Sequence, residues 1–105
     1  MNMDFKIITT LKADADLKNI LNYISENLAA PNAAKSFYDD VRFCYNNIST
    51  NPYMYAICDD LLLKVKKYRK AVIKNYLMFY QVDEENKTIY ICRLIYGRRN
   101  YTDLL

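Results

Sequence analysis

The sequence predicts an α+β fold of order β-α-α-β-β-β, a twisted, mainly antiparallel sheet with a helical hairpin packed on one face. Three observations predict it. Apolar residues recur every three to four positions through the first half, the period shortens to two after Pro52, and the later segments are rich in β-branched and aromatic side chains. With 105 residues, 52% of them apolar and a single Gly, the chain is expected to form one domain, residues 1–105, with enough apolar surface for one core.

Residues 3–9 (MDFKIIT) place Phe5, Ile7 and Thr9 on one face and read as a first strand. From Leu11 the period changes: Leu17, Ile20, Leu21, Ile24 and Leu28 form one helical stripe, with Asp14 and Asp16 near the positive end of the helix dipole. Ala29-Ala30-Pro31-Asn32 interrupts it, and Pro31 suits the first turn of a second helix carrying Ala34, Phe37, Val41, Cys44, Tyr45 and Ile48. Asn51-Pro52 stops that helix. So short a connection makes the two helices antiparallel neighbours.

Residues 53–63 read as a connector, with strand pairing expected near 61–63. Residues 66–73 read as a strand, Lys74-Asn75 as a tight turn, and 76–82 (YLMFYQV) as a central strand, apolar on both faces. Residues 83–87 form a polar hairpin loop. Residues 88–96 (TIYICRLIY) make the last strand, ended by Gly97 and followed by a basic tail.

Charge is divided unequally. Residues 1–60 carry five Lys and Arg against eight acids, a balance of −3, whereas residues 61–105 carry ten against four, a balance of +6. No acid occurs from Leu61 to Val82, where Lys64, Lys66, Lys67, Arg69, Lys70 and Lys74 crowd together. Such a field suits an anionic partner, nucleic acid foremost. Lysines on an edge strand also guard against edge pairing, which is the plainer reading of some of them. The chain has no His, which removes the usual general base and the commonest metal ligand, so no metal site and no cofactor are expected. Cys44, Cys58 and Cys92, odd in number and without CxxC spacing, read as reduced thiols of a cytoplasmic protein. The apolar runs are too short for a membrane span.

The candidate surface gathers Lys67, Arg69 and Lys70 on the first strand of the meander, Arg93 on the last, and Arg98, Arg99 and Tyr101 beyond it. Guanidinium forks bind phosphate bidentately, and tyrosines offer a stacking face and a hydroxyl. A meander would let these segments border one sheet surface.

The run Tyr68-Arg69-Lys70, then Asn75 to Val82, then Thr88 to Tyr101 with Gly97-Arg98-Arg99-Asn100-Tyr101, then Leu104-Leu105, resembles the RelE/ParE superfamily of type II toxin–antitoxin toxins. Ala13-Asp14-Ala15-Asp16-Leu17, Tyr23-Ile24 and Pro31-Asn32-Ala33-Ala34 carry the likeness into the first half. The resemblance implies a growth-inhibiting toxin neutralised by a cognate antitoxin, with operator DNA bound only through that antitoxin. It implies one of two targets: DNA gyrase for ParE-like members, or mRNA in the ribosome for RelE-like, metal-independent endoribonucleases. On the nuclease reading Arg69, Arg99 and Tyr96 would be catalytic. On either reading Lys67, Arg69, Lys70, Arg93, Arg98, Arg99 and Tyr101 would meet the target.

Three departures favour the ParE-like reading. Asn75-Tyr76-Leu77 stands where nuclease members carry Gly-Tyr-Arg, their catalytic aromatic near the C-terminus has no match beside Leu104-Leu105, and Tyr96 stands where many relatives carry His. A phenol titrating near ~10 would need strong tuning to replace that His. A non-toxic nucleic-acid-binding protein or a decayed toxin is the third reading.

Overall fold

Thr10 is where strand gives way to helix. Its extended backbone ends β1 (Lys6–Thr9), and its Oγ1 accepts from Ala13 N–H at 3.1 Å to cap α1 (Leu11–Asn22). The same hydroxyl donates to the Cys92 carbonyl at 3.0 Å, so the cap also ties the helix start to the sheet. A computed structural model describes residues 4–98, 101, 104 and 105. After α1 the chain widens into a π-helical turn, Tyr23–Asn27, within the stripe that periodicity assigned to ordinary helix. Pro31 opens α2 (Pro31–Thr50), whose Ala34, Phe37, Val41, Cys44 and Ile48 are buried. As the sequence predicts, α2 stops just before Asn51-Pro52.

Four strands form one mixed sheet in the order β1-β4-β3-β2. β2 (Arg69–Ile73), β3 (Tyr76–Asp83) and β4 (Thr88–Tyr96) make the antiparallel meander, and β1 joins β4 in parallel. The main core lies between the helical hairpin and the sheet, where Val41, Ile48, Met78, Tyr80 and Ile89 lose all contact with solvent. Tyr80 keeps its hydroxyl satisfied there by donating to the Pro52 carbonyl at 2.9 Å. The opposite face of the sheet carries a second cluster of Cys58, Leu63, Tyr68, Phe79 and Ile95, flanked by Tyr101, Leu104 and Leu105. β3 therefore has apolar cover on both sides, in keeping with its unbroken apolar run.

Two expectations are corrected here. Residues 61–63 are helical, not strand-paired, and belong to α3 (Leu61–Val65). Asp60 caps its start by accepting from Leu62 N–H at 3.1 Å, and Lys67 ends it in a left-handed conformation at φ 58°. Tyr68 N–H then returns to the Leu63 carbonyl at 3.0 Å, so β2 begins at Arg69, three residues later than expected. The second correction is a β-bulge. Phe79 faces Arg93 while the next residue, Tyr80, faces Ile91, leaving Cys92 as the extra residue of β4. Strict alternation would have put Arg93 under the helices with Ile89 and Ile91; the bulge turns it to the other face.

The three cysteines are free thiols, and burial pushes Cys44 and Cys92 up to about 11. An unfolded thiol ionises near ~8.5, so above that pH the unfolded chain releases protons that the folded chain keeps. Stability is thus fully present below about pH 8.5 and falls as pH rises through about 11. Urea titrations should show a loss by about pH 10.5 on the order of 2 kcal/mol per thiol. Cys44→Ala/Cys92→Ala should make the loss shallower, leaving the part due to the buried Tyr45 and Tyr80 phenols, and a parental midpoint that holds constant over this range would contradict the assignment.

Candidate functional site

Arg93 stands out of pattern in an apolar strand, and it finds a partner equally out of pattern. Asp16 lies on the inward side of α1, between Ala13 and Leu17. Its carboxylate accepts from Arg93 Nε at 2.7 Å and Nη2 at 3.0 Å, and from Leu94 N–H at 3.0 Å. Arg93 Nη1 donates to the Leu104 carbonyl at 2.7 Å, which seats the C-terminal residues. Both side chains are largely buried, 17% and 15% exposed, and the hydrogen bonds to Asp16 raise the guanidinium pKa. Arg93 was expected to meet a target; its donors are instead directed into the fold. Asp16 is not primarily a helix-dipole residue. It is the hub of this lock, and sequence reasoning missed it, although an acid in an apolar stripe was the signal.

Arg69 points the other way. It pairs across the sheet with Tyr80, so it lies on the helix-covered face, opposite Arg93. Its Nη1 donates to the Tyr55 carbonyl at 2.7 Å, and the guanidinium sits 5.0 Å from the Tyr53 ring centroid. Tyr53 donates to Glu84, which also pairs with Lys87, so Arg69 fastens the 53–60 connector beside the β3–β4 hairpin. The single basic surface expected from the sequence is therefore divided between two faces.

Lys70 lies on the second face, 5.7 Å from the Tyr101 ring centroid, and that ring packs 4.9 Å from Phe79. Lys70, Arg93 and Tyr101 thus share a face, and Arg69 does not join them. Tyr96 does not either: it pairs with Tyr76 on the helix side of the sheet. There it lines a cleft of about 680 Å³ with Tyr23, Leu28, Phe37 and Lys74, between the hairpin tip and the β2–β3 turn. The bulge at Cys92 is again the reason, because it inverts the alternation of every later β4 residue. Lys67 is exposed in the turn before β2, and Arg98 is exposed beyond Gly97. Arg99, expected at the centre of the site, lies outside the described residues. Gly97 allows close approach: its N–H donates to the Asn75 carbonyl at 2.8 Å, and a Cβ there would sit 3.2 Å from that oxygen.

This architecture, a helical hairpin over a β1-β4-β3-β2 sheet, matches known proteins. Residues 7–101 match the family described as ParE toxin of type II toxin–antitoxin system, parDE. The chain belongs to the ParE/RelE superfamily of toxins. A chromosomal ParDE toxin–antitoxin system from P. aeruginosa has a similar structure, with a TM-score of 0.70, 20% identity, and coverage of 90% of this chain and 97% of that one. The RelBE2 toxin–antitoxin complex from Mycobacterium tuberculosis is also similar, with a TM-score of 0.60, 19% identity, and coverage of 89% of this chain and 98% of that one. No curated protein sequence matches the chain.

Burial pushes the Tyr45 and Tyr80 phenols up to about 12, away from any role as a base near neutrality. Among the described residues no three metal-ligating side chains come together, and no helix is long and apolar enough to cross a membrane. If Arg69 works as a structural fastener, Arg69→Ala should lower stability by roughly 1–3 kcal/mol in urea unfolding, the range for a charged hydrogen bond plus its ring contact. An unchanged midpoint would mean that its guanidinium is free for a target.

Proposed function

We propose that this chain is a ParE-like toxin that arrests growth by binding DNA gyrase and is neutralised by a cognate antitoxin. The superfamily and the toxin–antitoxin class follow from the family match over residues 7–101. The gyrase target is the finer step, and one observation supports it: Arg69, the described cation that the nuclease reading would use, is bonded within the fold to the Tyr55 carbonyl. Cleavage by attack of a ribose 2′-oxygen needs a base, an acid and cations around one phosphate. Arg69 is bonded to Tyr55 on one face of the sheet, while Arg93 is bonded to Asp16 and Leu104 on the other. Tyr96 sits in the hairpin-side cleft, away from Lys70 and Tyr101.

A gyrase poison needs only a shaped and charged surface, with affinity held in a few anchors. The antitoxin partner is supported by the neighbouring structures, which come from toxin–antitoxin systems. Operator DNA would be reached through that antitoxin, and the site of action would be the cytoplasm.

Induction of the chain alone should slow bacterial growth, and co-expression of its neighbouring gene should restore it. Purified protein should trap gyrase–DNA breaks or inhibit supercoiling, and should leave mRNA intact on translating ribosomes. Codon-phased cuts that appear only with ribosomes would replace this reading with the RelE-like one. Normal growth at verified protein levels would point to a decayed toxin.

A further inference from the structure

Helix α3 keeps one apolar side chain and displays the rest. Leu63 is 2% exposed, whereas Leu61, Leu62 and Val65 on the same short helix are 74%, 65% and 74% exposed. Large aliphatic side chains gain by burial, so a group held in solvent on an ordered turn marks an interaction surface. The turn is held firmly. Asp60 caps its first residues, Gln81 Nε2 donates to the Lys66 carbonyl at 3.0 Å, and Cys58 N–H donates to the Tyr68 carbonyl at 2.8 Å just beyond it. Lys64, Lys66 and Lys67 stand around it, all exposed.

We propose that α3 docks the toxin onto its target, and that this target is a folded protein offering an apolar cleft with an acidic rim. The proposal rests on the toxin reading above and adds the surface and the partner's chemistry. Charge complementarity selects the partner. A second copy of this chain would bring Lys64, Lys66 and Lys67 against their own kind. Nucleic acid would satisfy the lysines but leave three aliphatic side chains against phosphate and sugar, where aromatic side chains are the usual stacking groups. A wrapping antitoxin segment calls for a groove, and among the described residues a cleft of that kind lies elsewhere, between hairpin tip and β2–β3 turn. A braced, projecting turn fits a cleft with little ordering cost.

The test compares the wild-type chain with Leu61→Ser/Leu62→Ser/Val65→Ser, using growth arrest on induction, gyrase inhibition, antitoxin affinity and thermal unfolding. The triple variant should need about tenfold or more protein for equal arrest, the loss expected when interface anchors are removed. Its antitoxin affinity and melting temperature should match the wild type, because the replaced side chains are exposed. Undiminished arrest would overturn the proposal. So would a parallel tenfold loss of antitoxin affinity, which would make α3 the antitoxin's site, or a wild-type dimer that the variant dissolves. If the wild type arrests growth without affecting gyrase and the variant loses that arrest, the docking proposal stands and the gyrase reading falls. If the variant poisons gyrase as well as the wild type, the gyrase reading stands and the docking proposal falls. A wild-type chain that does not arrest growth would overturn both.

Discussion

One carboxylate joins three parts of this molecule that have little else in common. β1 is four residues long and accompanies β4 only as far as Ile91. Beyond that point the β4 edge needs other partners, since backbone N–H groups at a half-buried edge are costly to leave unmet. Thr10 takes up the Cys92 carbonyl and Asp16 takes up Leu94 N–H, so the helix that follows β1 completes the edge that β1 leaves short. The charge on Asp16 then draws Arg93 across, and Arg93 in turn holds the Leu104 carbonyl. Helix, sheet edge and C-terminal residues therefore share a single hydrogen-bonded junction. Removing one partner would strand the other's charge in a largely buried place, which is why such pairs are costly to break even where they add little net stability.

The same junction explains how the cations of the second half are used. Arg93 is drawn to Asp16, Lys74 pairs with Asp40 on α2 at 3.3 Å, and Lys87 pairs with Glu84. Arg69 is spent on a backbone carbonyl and an aromatic ring. A net positive half-chain thus does not amount to one positive face. Some of its charge balances the acids of the first half across the fold. The exposed Lys64, Lys66 and Lys67 instead ring an aliphatic turn, a surface better matched to a protein than to nucleic acid.

Most of the fold could be read from residues alone, because its signals are local. The stripes of α1 and α2, the stop at Asn51-Pro52, the Lys74-Asn75 turn and the polar loop before Thr88 all carry a physical cause within a few positions. The site was less legible because its geometry depends on a bulge. Cys92 carries no local mark of being the extra residue, yet it inverts every following side chain, sending Arg93 to one face and Tyr96 to the other. α3 was hidden for a related reason: a run of Leu followed by Lys fits strand or helix equally at this length, and the Asp60 cap with the left-handed Lys67 decides between them. A partial signal did exist for the central pair. Asp16 in an apolar stripe and Arg93 in an apolar strand each lack a local partner, and buried charges of opposite sign tend to find one another.

A double-mutant cycle on Asp16 and Arg93 tests this account most directly, with unfolding free energies for Asp16→Ala, Arg93→Ala and the pair. The account predicts a coupling energy of about 1.5 kcal/mol or more, as for residues within one hydrogen-bonded network. Single losses that add to within about 0.5 kcal/mol would contradict it, because independent sites behave in that way.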